Sequence, residues 1–275
     1  MNFHFFCPRW GQEQMPWKEF LRLVKAAGYQ GVEAGLPVEN SERDILLNEL
    51  AKLGLQFIGQ HWETVCSDFD QYYSEFEKRL LALAAARPLF INTQTGKDYY
   101  SVSQNEKLIA LADSIAAQTN VPIIHETHRG KFSFAAHITR MYLDRLPNLR
   151  ITLDISHWFN TAETFLHDQP EAVALAISRT DHIHCRVGHT EGPQISDPRA
   201  PEWQEAVQQH LDIWDRVVAL HRQNDRSICT FTPEFGAPPY MFLQPYTRQP
   251  VVNQWEVNQY MMEFLRKRYE NFTNL

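Results

Sequence analysis

Short apolar runs alternate with longer amphipathic ones along the whole chain, and this rhythm predicts its elements. "NFHFFC" reads as a first strand. "WKEFLRLVKAAG" places Phe20, Leu21, Val24 and Ala27 on one helical side and stops at Gly28. "GVEAG" is a short second strand. "SERDILLNELAKLG" reads as a helix opened by a Ser41–Asp44 variant of the capping box and closed by Gly54. "LQFIGQHW" and "LFINTQT" are the third and fourth strands, followed by helices over about 70–86 and about 103–118. "VPIIHET" is the fifth strand and "AAHITRMYLDRL" its helix. "LRITLDIS" is the sixth, with a shorter helix around 169–178. "DHIHCRV" is the seventh, and the helix after it starts near Pro201 with Val207, Leu211, Trp214 and Val218 as its apolar stripe. "SICTFTPEF" is the eighth. A loop containing Pro238, Pro239, Pro245 and Pro250 leads to a closing helix over about 251–268. Eight strand–helix units in this order predict an α/β fold, a single-domain (β/α)₈ TIM barrel spanning 1–275. A doubly wound sheet needs a Gly-rich phosphate turn after its first strand, and "CPRWGQEQMP" is not one.

In such barrels the chemistry lies at the C-terminal strand ends. Within "DHIHCRV", a period of two sets Ile183, Cys185 and Val187 on one face and His182, His184 and Arg186 on the other. Strand six repeats the split with Thr152 and Asp154, and strand eight with Thr230, Thr232 and Glu234 opposite Cys229 and Phe231. Glu126 stands at the tip of strand five. With the apolar faces turned to the helices, the polar faces line the barrel mouth. Glu126, Asp154, His184 and Glu234 then converge from four consecutive strands. Three carboxylates brought together repel, and a divalent cation removes the conflict. One imidazole with three carboxylates suits one Mn²⁺, Mg²⁺, Co²⁺ or Zn²⁺ with open positions.

Other polar and aromatic residues fall near the same mouth. Arg186 binds a substrate oxygen or pairs with a carboxylate. His157, three residues past Asp154, is an outer ligand, a substrate donor or an orienting group. His61 is a substrate contact or a loop histidine, and His182 is a buried neutral ring. Trp10, Trp62 and Trp158 offer flat faces for the C–H side of a sugar or else plug the barrel end.

Composition narrows the partners. The chain has 44% hydrophobic and 21% charged residues and a net charge of −7, with no run of Lys or Arg. A small neutral or weakly charged substrate fits this better than a nucleic acid. Cys7, Cys66, Cys185 and Cys229 form no CxxC pattern and read as free thiols. The start "MNFHFFCPRW" lacks a basic n-region and a long h-region, and no apolar run reaches membrane-spanning length. The expectation is a cytoplasmic protein without membrane contact, and the Gly236–Val252 loop reads as a lid or a contact in a homo-oligomer.

With Glu126 on strand five, "LDISHW" carrying Asp154 and His157, "HIHCRVG" carrying His184 and Arg186, and "PEFG" carrying Glu234, the chain resembles the xylose isomerase-like TIM-barrel superfamily. Glu33 in "GVE" resembles it too. The resemblance covers the whole barrel. It implies Glu126, Asp154, His184 and Glu234 as metal ligands and Glu126 and Glu234 as the groups that move the substrate proton. His61, Trp62, His157, Arg186, Trp10 and Trp158 are the expected substrate contacts. The implied function is a metal-dependent sugar isomerase or epimerase working through a metal-stabilised enediolate. The alternatives are a dehydratase, an endonuclease-like hydrolase, or a non-catalytic carbohydrate-binding protein. The stretch "GHTEGPQISDP", with Glu191 and Asp197, has no close acidic pair for a second metal, which disfavours a hydride shift.

Overall fold

A computed structural model describes residues 1–270. Eight parallel strands close into a barrel in sequence order, with the last pairing to the first. They are β1 (Asn2–Pro8), β2 (Gly31–Ala34), β3 (Gln56–His61), β4 (Ile91–Thr93), β5 (Ile123–Glu126), β6 (Ile151–Leu153), β7 (Thr180–His184) and β8 (Ile228–Thr232). The helices are α1 (Trp17–Ala26), α2 (Asn40–Leu53), α3 (Phe69–Ala85), α4 (Val102–Thr119), α5 (Ala136–Arg145), α6 (Ile155–Ala162), α7 (Pro170–Arg179), α8 (Gln204–Gln223) and α9 (Gln254–Glu270). This is the (β/α)₈ TIM barrel expected from the alternation, and no helix among the described residues is long and apolar enough to cross a membrane. All four cysteines are free thiols.

Two cores flank the sheet. The larger lies between barrel and helices and takes the outward strand residues, including Phe5, Cys7, Phe57, Ile91, Ile183, Cys185 and Phe231. The smaller lies inside the barrel, where Phe6, Ile58, Phe90 and Ile124 form an apolar plug. His182 rests on that plug, with its ring centroid 5.3 Å from Phe90 and 6.5 Å from Phe6. Inward positions above this level are polar. The plug is therefore the floor of whatever the barrel mouth contains.

Two local readings need correction. The helix expected to start at a Ser41 cap starts at Asn40, after Glu39, and no side chain caps it. Strand six is shorter than "LRITLDIS" implies: pairing stops at Leu153, and Asp154 becomes the N-cap of α6 by accepting from the Ser156 amide at 3.0 Å. The short helix α6 has no 3.6-residue stripe long enough to read, so its residues look like a strand tail and a loop.

The opposite end of the barrel is pinned by charge. Asp181 at the start of β7 accepts from Arg150 Nε at 2.9 Å and Nη2 at 2.7 Å, and Arg226 Nη1 is 2.6 Å away. Burial pushes the Asp181 carboxyl up, but the two guanidinium groups outweigh burial and hold it below its usual range. The stability this triad contributes is therefore complete above the usual carboxylate value of about pH 4 and is lost as pH falls through the lower folded value. Asp181→Asn should lower Tm at pH 7 by a few degrees, corresponding to about 1–2 kcal/mol. Thermal unfolding followed by circular dichroism should show the gap to wild type closing as pH falls below the usual carboxylate range; a gap that persists unchanged into acid contradicts the assignment.

Candidate active site

The polar inward positions meet at the C-terminal rim. Glu126 ends β5, Asp154 follows β6, His184 ends β7 and Glu234 stands just past β8. One ligating atom from each lies within 4.8 Å of the others, and all four residues are buried. The period-two split in β7 explains the placement of His184, since Ile183 and Cys185 go to the outer core and His182 and His184 turn inward.

Glu33 on β2 organises the layer beneath. His184 Nε2 lies 3.0 and 3.1 Å from its two oxygens, and His182 Nε2 lies 3.2 Å from Oε2. Asn92 Nδ2 donates to Oε1 at 2.7 Å and Thr232 Oγ1 donates to Oε2 at 2.6 Å. With His184 Nε2 committed to Glu33, Nδ1 is the nitrogen that faces the cluster. It stands 3.0 Å from Glu234 Oε2 and 3.7 Å from Glu126 Oε1, yet it is buried without a hydrogen bond.

The two glutamates are held in a matching way, and Asp154 has partners on both oxygens. Gln94 Nε2 and Asn92 Nδ2 donate to Glu126 Oε2 at 3.2 and 3.4 Å, while Oε1 is buried with no partner. Gln60 Nε2 donates to Glu234 Oε1 at 2.9 Å, which leaves Oε2 toward the cluster. Asp154 Oδ1 accepts from the Ser156 hydroxyl at 2.5 Å, and Oδ2 accepts from Arg186 Nη2 at 2.6 Å. A buried polar atom without a partner costs roughly 1–3 kcal/mol. Glu126 Oε1 and His184 Nδ1 are two such atoms in one cluster, and a divalent cation satisfies both. Three carboxylates and one imidazole form a donor set of the right chemistry. Glu33 holds His184 Nε2, the position from which an outer carboxylate would fix the tautomer of an imidazole that held a metal through Nδ1.

The field at the cluster favours positive charge. Burial opposes a charged His184, but Glu234, Glu33 and Glu126 outweigh burial and hold the imidazole well above its usual range. Burial pushes Glu33 up, and His184 and His182 outweigh it and hold the carboxylate well below its range. Asp154 is pushed up to about 6, mainly by burial, with Arg186 and His184 opposing.

Arg186 lies past the end of β7 and is 1% exposed. Besides Asp154 it donates from Nη2 to His157 Nε2 at 2.6 Å, and its guanidinium lies 4.8 Å from the Tyr240 ring centroid. An arginine only donates, so His157 Nε2 accepts and the ring proton sits on Nδ1. Burial, His128 and Arg186 keep His157 well below its usual range, which agrees with a neutral ring. His157 on α6 thus braces Arg186.

A cavity of about 600 Å³ opens above the cluster, lined by Glu126, Glu234, Gln60, Gln94, His128, Arg186 and Tyr240 on one side. Trp10 and Trp62 reach it, but Trp158 and His61 do not. The Trp158 indole is fully buried in the outer core, where it donates to the Ser133 carbonyl at 2.8 Å. His61 shares its outward direction with Phe57, and its ring nitrogens lie 2.9 Å from Thr93 and Thr64 hydroxyls. The inward residue of β3 is Gln60, which pairs in register with the inward Asn92. Counting outward from Ile58 in the barrel plug finds it. The roles of Gln94, Asn92 and Tyr240 have no sequence signal beyond their strand-end positions. Tyr240 belongs to the proline-rich loop expected as a lid or contact, and its ring meets Trp10 edge-on at 5.0 Å.

No protein-family model matches the chain, and no curated protein matches it in sequence. Solved structures do match in shape. The 3-keto-D-glucoside 4-epimerase of E. coli aligns at 14% identity over 97% of this chain and 100% of that one, with a TM-score of 0.62. The probable 3-DHS dehydratase of Bacillus anthracis aligns at 16% identity over 96% and 98%, with a TM-score of 0.60. Endonuclease IV of Thermus thermophilus aligns at 11% identity over 98% and 99%, with a TM-score of 0.59. At such identities these likenesses establish the fold alone, a (β/α)₈ barrel. Three chemistries share it, so the choice among them has to come from the site.

Two variants test this geometry. Glu33→Gln keeps the volume but removes the charge behind His184 Nε2. Titration with Mn²⁺ should show affinity reduced roughly 10–100-fold, and unchanged affinity would contradict the orienting role. At Gly236 an added methyl would run into the Trp10 indole. Gly236→Ala should therefore displace Trp10 and change the near-ultraviolet circular dichroism, with destabilisation of about 1–3 kcal/mol.

Proposed function

We propose that this protein is a divalent-metal-dependent sugar isomerase or epimerase that works by proton transfer. The observation that carries the reading is the buried cluster of Glu126, Asp154, His184 and Glu234 under an open cavity, with two ligating atoms left without partners. Glu126, Asp154, His184 and Glu234 would hold the ion. When bound, it supplies the positive charge that steadies an enediolate developing on the substrate. The epimerase named among the structural neighbours supports the reading at the level of fold.

The chain's own residues do the rest. Glu126 and Glu234 come from strands five and eight, so they approach a bound sugar from different sides. One takes the proton from the carbon beside the carbonyl and the other returns a proton. Return to the opposite face of that carbon gives epimerisation, and delivery to the neighbouring carbon gives aldose–ketose isomerisation. Gln94 and Gln60 each hold one oxygen of these glutamates, which fixes the direction of the other. Arg186, braced by Asp154 and His157, presents a fixed positive charge to a substrate oxygen. Trp10 and Tyr240 close one side against water.

Elemental analysis of the purified protein should find close to one divalent ion per chain, and His184→Ala should lose it. Incubation with the right ketose in D₂O should place deuterium on the carbon beside the carbonyl. Glu126→Gln and Glu234→Gln should each slow that exchange by roughly 100-fold or more, with metal content measured on the same samples. Turnover that retains the original hydrogen would contradict the two-glutamate scheme and point to a hydride shift.

A further inference from the structure

The cavity is larger than the cluster needs. Its volume is about 600 Å³. A monosaccharide of twelve heavy atoms packed at interior density fills on the order of 200 Å³. The lining also changes character across the mouth. The ends of β5 to β8, with Gln60 and Gln94, make the polar side. The loops after β1, β2 and β3 and the first residue of α1 make the other, with Trp10, Trp17, Leu36, Pro37, Val38 and Trp62. Trp62 is 52% exposed and Val38 is 77% exposed, so an apolar lip faces solvent beside the cavity.

The charged groups on that side make local contacts, although Arg9 Nη1 is buried without a hydrogen-bond partner. The Glu13 carboxylate accepts from the Gly11 amide at 3.0 Å to each oxygen. Glu63 Oε2 accepts from the Trp62 amide at 3.1 Å, and its Oε1 lies 3.8 Å from Arg79. Arg9 donates from Nη2 to the Met15 and Glu13 carbonyls and lays its guanidinium 4.2 Å from the Trp17 ring centroid. Arg9 therefore stiffens the aromatic wall. A second sugar ring would set several hydroxyls against the side chains of Trp10, Trp17, Leu36, Pro37, Val38 and Trp62, where each hydroxyl left without a partner is costly. A flat apolar group would bury against tryptophan without that loss.

We propose that the side formed by Trp10, Trp17, Leu36, Pro37, Val38 and Trp62 is a subsite for an uncharged apolar aglycone, so that the substrate is a glycoside rather than a free sugar. This rests on the proton-transfer reading of the cluster. A glycoside's anomeric carbon is locked as an acetal and offers no carbonyl. The ketone must then stand on another ring carbon. The proton leaves the carbon beside that ring ketone for one glutamate and returns from the other, with no change in composition.

Unreactive probes separate this inference from the chemistry. Phenyl β-D-glucoside, methyl β-D-glucoside and methyl β-cellobioside lack a ring ketone and report binding alone, read by tryptophan fluorescence on the Mn²⁺-loaded protein. The phenyl glucoside should bind roughly tenfold tighter than the methyl glucoside, and the cellobioside no tighter than the methyl glucoside. Trp62→Ala and Val38→Asp, both at exposed positions, should shrink the phenyl preference toward one. Equal affinities, no binding of the phenyl glucoside at millimolar concentration, a preference unchanged in both variants, or tightest binding by the cellobioside would each overturn the subsite. None of these outcomes depends on whether deuterium exchange occurs, so the two claims fail separately.

Discussion

Like charge confined in a closed barrel is the constraint on which the rest of this structure depends. Glu33, Glu126, Asp154 and Glu234 are all buried around one axis, offset by Arg186 and the imidazole of His184. Taking carboxylates out of water is costly unless each is paired or holds a cation. The layers of the barrel interior follow from this. An apolar plug of Phe6, Ile58, Phe90 and Ile124 excludes water from below. Above it Glu33 collects donors from Asn92, Thr232, His182 and His184, and its charge is settled inside the protein. The upper three carboxylates are left short of positive charge.

That division explains why the two levels differ in hydrogen bonding. Each Glu33 oxygen has at least two partners, as a purely structural buried charge requires. Glu126 has one oxygen without any, and His184 has a bare nitrogen beside Glu234. The amides of Gln60 and Gln94 satisfy only the far oxygens of the two glutamates, so the near oxygens converge without being neutralised. Arg186 reaches Asp154 but stands 3.9 Å from Glu234, and its other contacts hold it to the His157 side.

Much of this is legible in the chain. Alternation in β7 and β8 tells inward from outward because both faces carry strongly different residues there: His182 and His184 against Ile183 and Cys185, and Thr232 against Phe231. β3 misleads because polar residues fall on both faces. Gln60 turns inward and His61 outward, and they are separated by the pairing of Gln60 with Asn92 and by the period of two from Ile58 in the plug. Position after a strand puts Trp158 at the mouth, but Asp154 starts a helix there and carries the indole into the outer core. The contribution of Tyr240 depends on how the loop after β8 folds back over Arg186, a long-range arrangement that no local pattern encodes.

The most direct test of the central claim is anomalous diffraction at the manganese edge from crystals grown with Mn²⁺. The account predicts one strong peak per chain, in contact with His184 Nδ1 and Glu126 Oε1 and bounded by Asp154 and Glu234, with His184 Nε2 still on Glu33. A cluster with no peak, in which His184 Nδ1 is instead hydrogen-bonded to Glu234, would contradict it.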